Sequence, residues 1–133
     1  MASFPGLPRL SVACCGAPMK SPITTHVLDV GRGRPAAGVP VKLERALPDG
    51  GWEMLGQEKT DQDGRAARLF PVAASLQRGT YRISFDTAAY WRALNVSGFY
   101  PSVAILFHVE SESEHYHVPL LLSPFGYSTY RGS

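Results

Sequence analysis

The chain has 133 residues, of which 44% are hydrophobic and 18% are charged, and its formal net charge is +2. A chain of this length forms one domain whose core is large enough to fold without disulfide or metal staples. Basic residues are scattered rather than clustered along a phosphate-binding surface, and no run approaches the roughly 18 apolar residues of a membrane span. Neither nucleic acid nor a membrane is therefore an expected partner.

The first 21 residues differ from the rest, with three prolines, two glycines and no alternating pattern. We predict a disordered leader or a targeting segment over 1–21 and a single folded domain over 22–133. The only two cysteines, Cys14 and Cys15, are adjacent within this leader. A disulfide between neighbours would be strained, so the cysteine usage fits a reducing compartment.

From residue 22 onward, short alternating runs of apolar and polar residues are separated by clusters of turn residues. The predicted strands cover 23–30, 39–47, 52–59, a short segment that starts at Arg65, 80–85, 99–109, 115–122 and 127–130. Residues 31–38 are predicted to form a loop. One short helix is predicted over 88–95, capped by Asp86 or Thr87. About eight strands at this spacing are typical of an all-β antiparallel sandwich.

Histidines are the most informative side chains of the predicted strands. His115 and His117 alternate with apolar neighbours, so both point from the same face of their strand. Pro119 has no N–H for a ladder, which predicts a sheet edge or a bulge there. His26 lies in the first strand, and His108 lies among aliphatic residues and is interpreted as structural.

Two kinds of chemistry fit these histidines. His26, His115 and His117 could form a zinc site of three imidazoles with an open position for water. Alternatively, a neutral imidazole acts as a metal-free general base, and Arg65 stabilises the developing anion. A purely structural interpretation competes with both, because most strand histidines are hydrogen-bonded structural residues. The spacing alone leaves these possibilities open.

Four motifs together indicate a family: Thr24-Thr25-His26-Val27-Leu28-Asp29, Asp63-Gly64-Arg65, His115-Tyr116-His117-Val118-Pro119 and Tyr130-Arg131-Gly132-Ser133. With these motifs, the chain resembles the 5-hydroxyisourate hydrolases, the transthyretin-related enzymes of urate degradation, over nearly all of 22–133. The resemblance implies a transthyretin-like β-sandwich and a homotetramer with active sites at the dimer–dimer interface. It also implies hydrolysis of 5-hydroxyisourate to 2-oxo-4-hydroxy-4-carboxy-5-ureidoimidazoline, with no metal or other cofactor.

Matched residue by residue, the resemblance implies catalytic roles for His26, Arg65, His117 and Ser133, and substrate binding by His26, Arg65 and Tyr130. His115 is then a neighbour on the same face. The same resemblance supplies an alternative, a non-catalytic carrier of thyroid hormone, but such carriers have Lys, Glu and Thr at the positions of His26, Arg65 and His117. Glu at position 65 would repel the urate-like anion that a guanidinium attracts, which favours the enzyme.

Relatives in animals suggest a peroxisomal location, with the cytoplasm as the alternative. The closing Arg131-Gly132-Ser133 does not match the Ser-Lys-Leu address of peroxisomal proteins. In the predicted leader, Arg9-Leu10 followed by Gly16-Ala17 loosely resembles an N-terminal peroxisomal signal, but Gly16 stands where that signal has His or Gln.

Overall fold

A computed structural model describes residues 21–133. The leader predicted over 1–21 lies outside the described residues except for Ser21. The elements are β1 Ile23–Asp29, β2 Arg34–Pro35, β3 Pro40–Ala46, β4 Trp52–Lys59, β5 Arg65–Ala66, β6 Gly79–Phe85, α1 Thr87–Ala93, β7 Val103–Val109, β8 Tyr116–Ser123 and β9 Gly126–Thr129. No helix within these residues is long and apolar enough to cross a membrane.

The strands form two sheets. The first sheet has the order β2-β1-β8-β9, with β5 also paired to β1, and the second has the order β4-β3-β6-β7. Buried side chains alternate with half-buried ones along β1, as they do at most positions of β8, so each of these strands points one face into the core. Within residues 21–133, the predicted all-β sandwich with one short helix is confirmed.

The pairing of β1 with β8 is parallel and runs in register from Ile23↔Tyr116 to Asp29↔Leu122. Every other strand pair described within 21–133 is antiparallel. This parallel pair joins the beginning and the end of the domain in the centre of the first sheet. It sets Thr24 opposite His117 and His26 opposite Pro119.

The edge position predicted for Pro119 is wrong, because β8 has neighbours on both sides. On the β9 side, Thr129 is the last residue of the regular ladder, and the next contact is the isolated bridge between His117 and Gly132. The carbonyl of Pro119 accepts a hydrogen bond from the Thr129 hydroxyl (2.7 Å). A central strand tolerates proline here because the ladder is interrupted at this residue.

Helix α1 is anchored to the first sheet through a buried polar contact. Asp86 caps it by accepting the N–H of Ala89 (3.1 Å), which selects Asp86 over Thr87 as the predicted cap. Tyr90 is buried and donates its hydroxyl to Asp29 of β1 (2.6 Å). Burial, together with this hydrogen bond, raises the pKa of Tyr90 to about 12. The tyrosine therefore stays neutral and holds the helix against β1.

Two predictions are wrong by more than a shift of one or two residues at the end of an element. The strand predicted over 99–109 begins only at Val103. The backbone before it is used elsewhere, since the N–H of Phe99 donates to the carbonyl of Pro124 (2.7 Å) and the carbonyl of Tyr100 accepts the Thr87 hydroxyl (2.5 Å). In addition, the loop predicted over 31–38 contains the two-residue strand β2, which pairs with the end of β1.

Candidate active site

Three strands bring polar side chains to the outer face of the first sheet. Arg65 of β5 is paired directly opposite His26 of β1, and His117 of β8 is paired opposite Thr24 of β1. In β1, Thr25 lies on the opposite face and is buried, so His26 and Thr24 point away from the core. The predicted catalytic residues His26, Arg65 and His117 therefore meet on one accessible surface.

A tight turn fixes the backbone of Arg65. The Asp61 carboxylate accepts the N–H groups of Asp63 (2.9 Å) and Arg65 (3.0 Å). The hydrogen bond from the Arg65 N–H, more than any other contact, lowers the pKa of Asp61. Gly64 has φ +77°, and a Cβ there would lie 2.4 Å from the carbonyl oxygen of Val27. Only glycine fits this conformation and this close approach, so the Asp63-Gly64 turn delivers Arg65 to the start of β5.

The tautomer of His26 is set by the same turn. Its Nε2 lies 2.8 Å from the carbonyl oxygen of Asp63. A carbonyl oxygen can only accept, so Nε2 carries the proton. In the neutral ring, Nδ1 is then left with a lone pair that can accept a hydrogen bond from a ligand.

His117 is held as a neutral base. Its Nδ1 lies 2.8 Å from the hydroxyl oxygen of Thr24. Burial of the ring lowers its pKa below the usual range, and the charges of Arg65, His115 and His26 add to this effect. An imidazole with a lowered pKa remains unprotonated at neutral pH and can therefore accept a proton from water.

His115 lies beside His117, as the alternation predicts. The two ring centroids are 6.4 Å apart with an angle of 16° between the planes, and Nε2 of His115 is 3.1 Å from the Thr24 hydroxyl. Within residues 21–133, no group of three or more His, Cys, Asp or Glu side chains has the geometry to hold a metal ion. The tris-imidazole arrangement of the zinc hypothesis is thus not formed by these described side chains.

The segment after β9 lies along β8 next to His117. The N–H of Gly132 donates to the carbonyl of His117 (2.8 Å), and Arg131 bonds Glu114 (2.9 Å) while its guanidinium lies 4.6 Å from the Tyr116 ring centroid. Tyr130 and Ser133 flank this contact with exposed side chains. Both remain predicted site residues, and the backbone bridge at Gly132 keeps the segment that carries them beside His117.

Replacing Gly132 with Ala should impair His117 without unfolding the domain. A Cβ at this position would lie 2.6 Å from Cδ2 of the His117 ring, so either the ring or the segment must shift. Misplacement of a reacting group by about 1 Å can cost roughly 100-fold in rate, and we expect kcat/KM for the reaction proposed below to fall at least about tenfold. Because the segment is exposed, the free energy of unfolding should change by less than about 1 kcal/mol.

Gly126 offers a matched control for this substitution. A Cβ there would meet only the Ser123 hydroxyl at 3.7 Å, an ordinary contact. Steady-state kinetics and denaturant unfolding of Gly132→Ala and Gly126→Ala compare the two sites. Equal activities of the two variants would contradict a positioning role for Gly132.

Thr24 belongs to the first family motif, but the sequence assigns it no role at the site. Alternation places it on the face of His26, but its contact with His117 depends on the parallel register of β1 and β8. A threonine on a strand carries no functional signal by itself. Only the assumption that the first and seventh predicted strands are neighbours would have identified it.

The sequence matches a family model described as HIUase/Transthyretin family over residues 23–132. The uric acid degradation bifunctional protein TTL of Arabidopsis thaliana is 52% identical over an alignment of 131 residues, which covers 88% of this chain and 39% of that protein. The chain thus spans about two fifths of this relative. The 5-hydroxyisourate hydrolase of Salmonella dublin is 47% identical over 111 residues, covering 84% of this chain and 80% of the relative.

Two solved structures share the fold. A 5-hydroxyisourate hydrolase from Klebsiella pneumoniae superposes with a TM-score of 0.73 at 36% identity, covering 85% of this chain and 100% of that chain. Sea bream transthyretin in complex with thyroxine superposes with a TM-score of 0.79 at 34% identity, covering 84% of this chain and 95% of that chain. The predicted transthyretin-like sandwich is therefore confirmed.

Proposed function

The chain belongs to the HIUase/transthyretin family, and we propose that it hydrolyses 5-hydroxyisourate in urate degradation. The observation that carries the proposal is the convergence of Arg65 with the imidazoles of His26 and His117 on one face of the sheet. A cation beside a neutral base is the arrangement needed to bind an anionic ring and to activate water against it. The product is 2-oxo-4-hydroxy-4-carboxy-5-ureidoimidazoline.

In the proposed mechanism, His117 is the general base. Thr24 occupies its Nδ1, so Nε2 is the nitrogen left for water. Nε2 takes a proton as the water oxygen bonds to the ring carbonyl carbon, and Arg65 stabilises the resulting oxyanion. When the carbon–nitrogen bond breaks, His117 returns the proton to the leaving nitrogen. His26 orients the substrate through its unprotonated Nδ1, while Tyr130 and Ser133 complete the pocket.

A non-catalytic carrier of a hormone-like ligand is the alternative function. It is supported by the superposition with thyroxine-bound transthyretin. The two functions differ in the rate at which 5-hydroxyisourate disappears. We expect its ultraviolet absorbance to decay faster when the protein is added. A decay rate unchanged by the protein would support the carrier and contradict the enzyme.

The activity should persist to lower pH than an ordinary histidine base allows. Protonation of His117 removes the base, and the pKa of His117 is lowered by burial and by Arg65. The midpoint of the acid limb in the pH profile of kcat/KM should therefore lie below about pH 6.5. Removing the nearby charge in Arg65→Gln should move the limb of the residual activity to higher pH. Stopped-flow rates measured on both sides of pH 6.5 test the direction of these shifts. An acid limb of the wild type with its midpoint above pH 6.5 would contradict a lowered pKa of His117.

We also propose that the protein assembles as a homotetramer with its sites at the dimer–dimer interface. The support is the family resemblance together with the location of the cluster on an exposed sheet face, where a second subunit can cover it. Light scattering after size exclusion should give the mass of four chains. A monomeric active enzyme would contradict this assembly.

A peroxisomal location is the last part of the proposal, and it is supported by the family resemblance. Residues 1–21 fused ahead of a fluorescent reporter should direct it to peroxisomes in cells. A diffuse signal would instead favour the cytoplasm, the alternative location.

A further inference from the structure

The hydroxyl of Thr24 lies between two imidazoles. It is 2.8 Å from Nδ1 of His117 and 3.1 Å from Nε2 of His115. A hydroxyl has a single proton, so it can donate to only one of the two rings. The other ring must then donate its own N–H to the Thr24 oxygen. The protonation states of the two histidines are therefore linked through this one side chain.

This link decides whether His117 can act as a base. When Nδ1 of His117 donates to Thr24, its Nε2 has a free lone pair, and Thr24 donates to His115. In the opposite arrangement, Thr24 donates to His117, whose Nε2 then carries the proton and cannot accept another. His115 selects between the two arrangements, because its Nε2 must accept in the first and donate in the second.

We propose that Thr24 is a proton bridge that couples His117 to His115, so that the two imidazoles share the proton removed from water. This inference rests on the proposed hydrolysis and assigns functions to two residues beside the base. Thr24 and His115 act through His117, and both are positioning residues for it.

The transfer conserves protons and charge. Nε2 of His117 takes a proton from water, and the hydroxide bonds to the carbonyl carbon of the substrate. The Nδ1 proton of His117 moves to the Thr24 oxygen while the Thr24 proton moves to Nε2 of His115. His117 and Thr24 are then neutral, and His115 is an imidazolium. The reverse transfer restores the proton that His117 returns to the leaving nitrogen.

The position of Arg65 favours moving the positive charge away from His117. Arg65 lies opposite His26. Pro119 and His117 of β8, and then His115 just before this strand, follow at increasing distance from that pair. A charge on His115 is therefore further from the guanidinium than a charge on His117. The backbone carbonyl of His115 faces the Arg131 guanidinium, which is itself paired with Glu114.

Within residues 21–133, His115 has no competing contact that would fix its tautomer. Its Nδ1 is buried and has no hydrogen-bond partner among residues 21–133. Within that part of the chain, Thr24 provides the hydrogen bond of the ring. The tautomer of His115 therefore responds to the state of Thr24 and, through it, to His117.

The test is a double-mutant cycle in the full-length protein. Thr24→Val keeps the side-chain shape and removes the hydroxyl, and His115→Gln removes the second proton acceptor. Each should lower kcat for 5-hydroxyisourate about tenfold or more with little change in KM, and the double variant should be no slower than either single variant. Thr24→Ser should keep most of the activity because it retains the bridge.

Matched controls come from the second sheet. Thr80 is half-buried on β6 and His108 is exposed on the paired strand β7. Thr80→Val and His108→Gln should leave kcat unchanged. Additive losses in the Thr24 and His115 cycle, or wild-type kcat in Thr24→Val, would overturn the bridge.

A second measurement needs no substrate. The nitrogen chemical shifts of an imidazole report its tautomer. Those of His117 should change in His115→Gln but not in His108→Gln. Unchanged His117 shifts in folded His115→Gln would overturn the coupling. A wild-type protein that shows this coupling but leaves 5-hydroxyisourate intact would contradict the proposed hydrolysis and not the bridge.

Discussion

An Arg65→Glu variant should hydrolyse 5-hydroxyisourate with kcat/KM lowered by about 1,000-fold or more. Loss of one oxyanion-stabilising donor costs roughly 100- to 1,000-fold, and the new carboxylate adds repulsion of the anionic substrate. The effect should be confined to the site, because Arg65 is exposed and its backbone is fixed by Asp61. Rates from the absorbance assay provide the measurement.

Two further variants separate the geometry of the Arg65 side chain from its charge and from the net charge of the protein. Arg65→Lys keeps the charge but loses the planar pair of donors, so its activity should lie between those of the wild type and Arg65→Glu. Arg78 is an exposed arginine just before β6, and Arg78→Glu changes the net charge equally. If Arg78→Glu lost as much activity as Arg65→Glu, a specific role for Arg65 would be untenable.

A His117→Ala variant should lose about 100- to 10,000-fold in kcat, the range expected for removal of a general base. It also removes the hydrogen bond to Thr24, but the ring is only half-buried, so the protein should still fold and assemble. Added imidazole should restore part of the activity by occupying the space of the ring.

His108→Ala is the control for this loss, since His108 is exposed on the other sheet. The sequence interpretation of His108 as structural predicts unchanged kcat. Full activity of His117→Ala would remove the basis for the proposed mechanism, and an equal rate increase by imidazole in His108→Ala would show that imidazole acts non-specifically.

Alternation along the sequence was sufficient to predict most of the fold. The strand over 52–59 has the predicted bounds, and the faces of β1 and β8 follow the alternation of apolar residues. The alternation of side chains along a strand is a local property, so it can be predicted without knowing which strands pair with one another. The same property explains the error at Phe99, where apolar residues continue the pattern although their backbone bonds other segments.

The alternation of apolar residues does not predict whether two paired strands are parallel or antiparallel. A strand has the same alternation in parallel and antiparallel sheets, so nothing local predicts that β1 and β8 run in the same direction. The error at Pro119 has a related cause, because a gap in the ladder is a property of the partner strand. The meeting of Thr24 with His117 depends on this long-range register and required the structure.

The parallel pairing of β1 and β8 also has a consequence for biosynthesis. The Thr24–His117 contact joins residues separated by 93 positions. In the second sheet, by contrast, the paired strands in the order β4-β3-β6-β7 are closer to one another in the sequence and are therefore synthesised at shorter intervals. As the nascent chain leaves the ribosome, the second sheet can form while one edge of β1 still lacks its partner. An open edge strand invites pairing with other chains. The cluster of His26, Arg65 and His117 is therefore completed only after β8 has been made, and a nascent chain stalled before Tyr116 still exposes the open edge of β1.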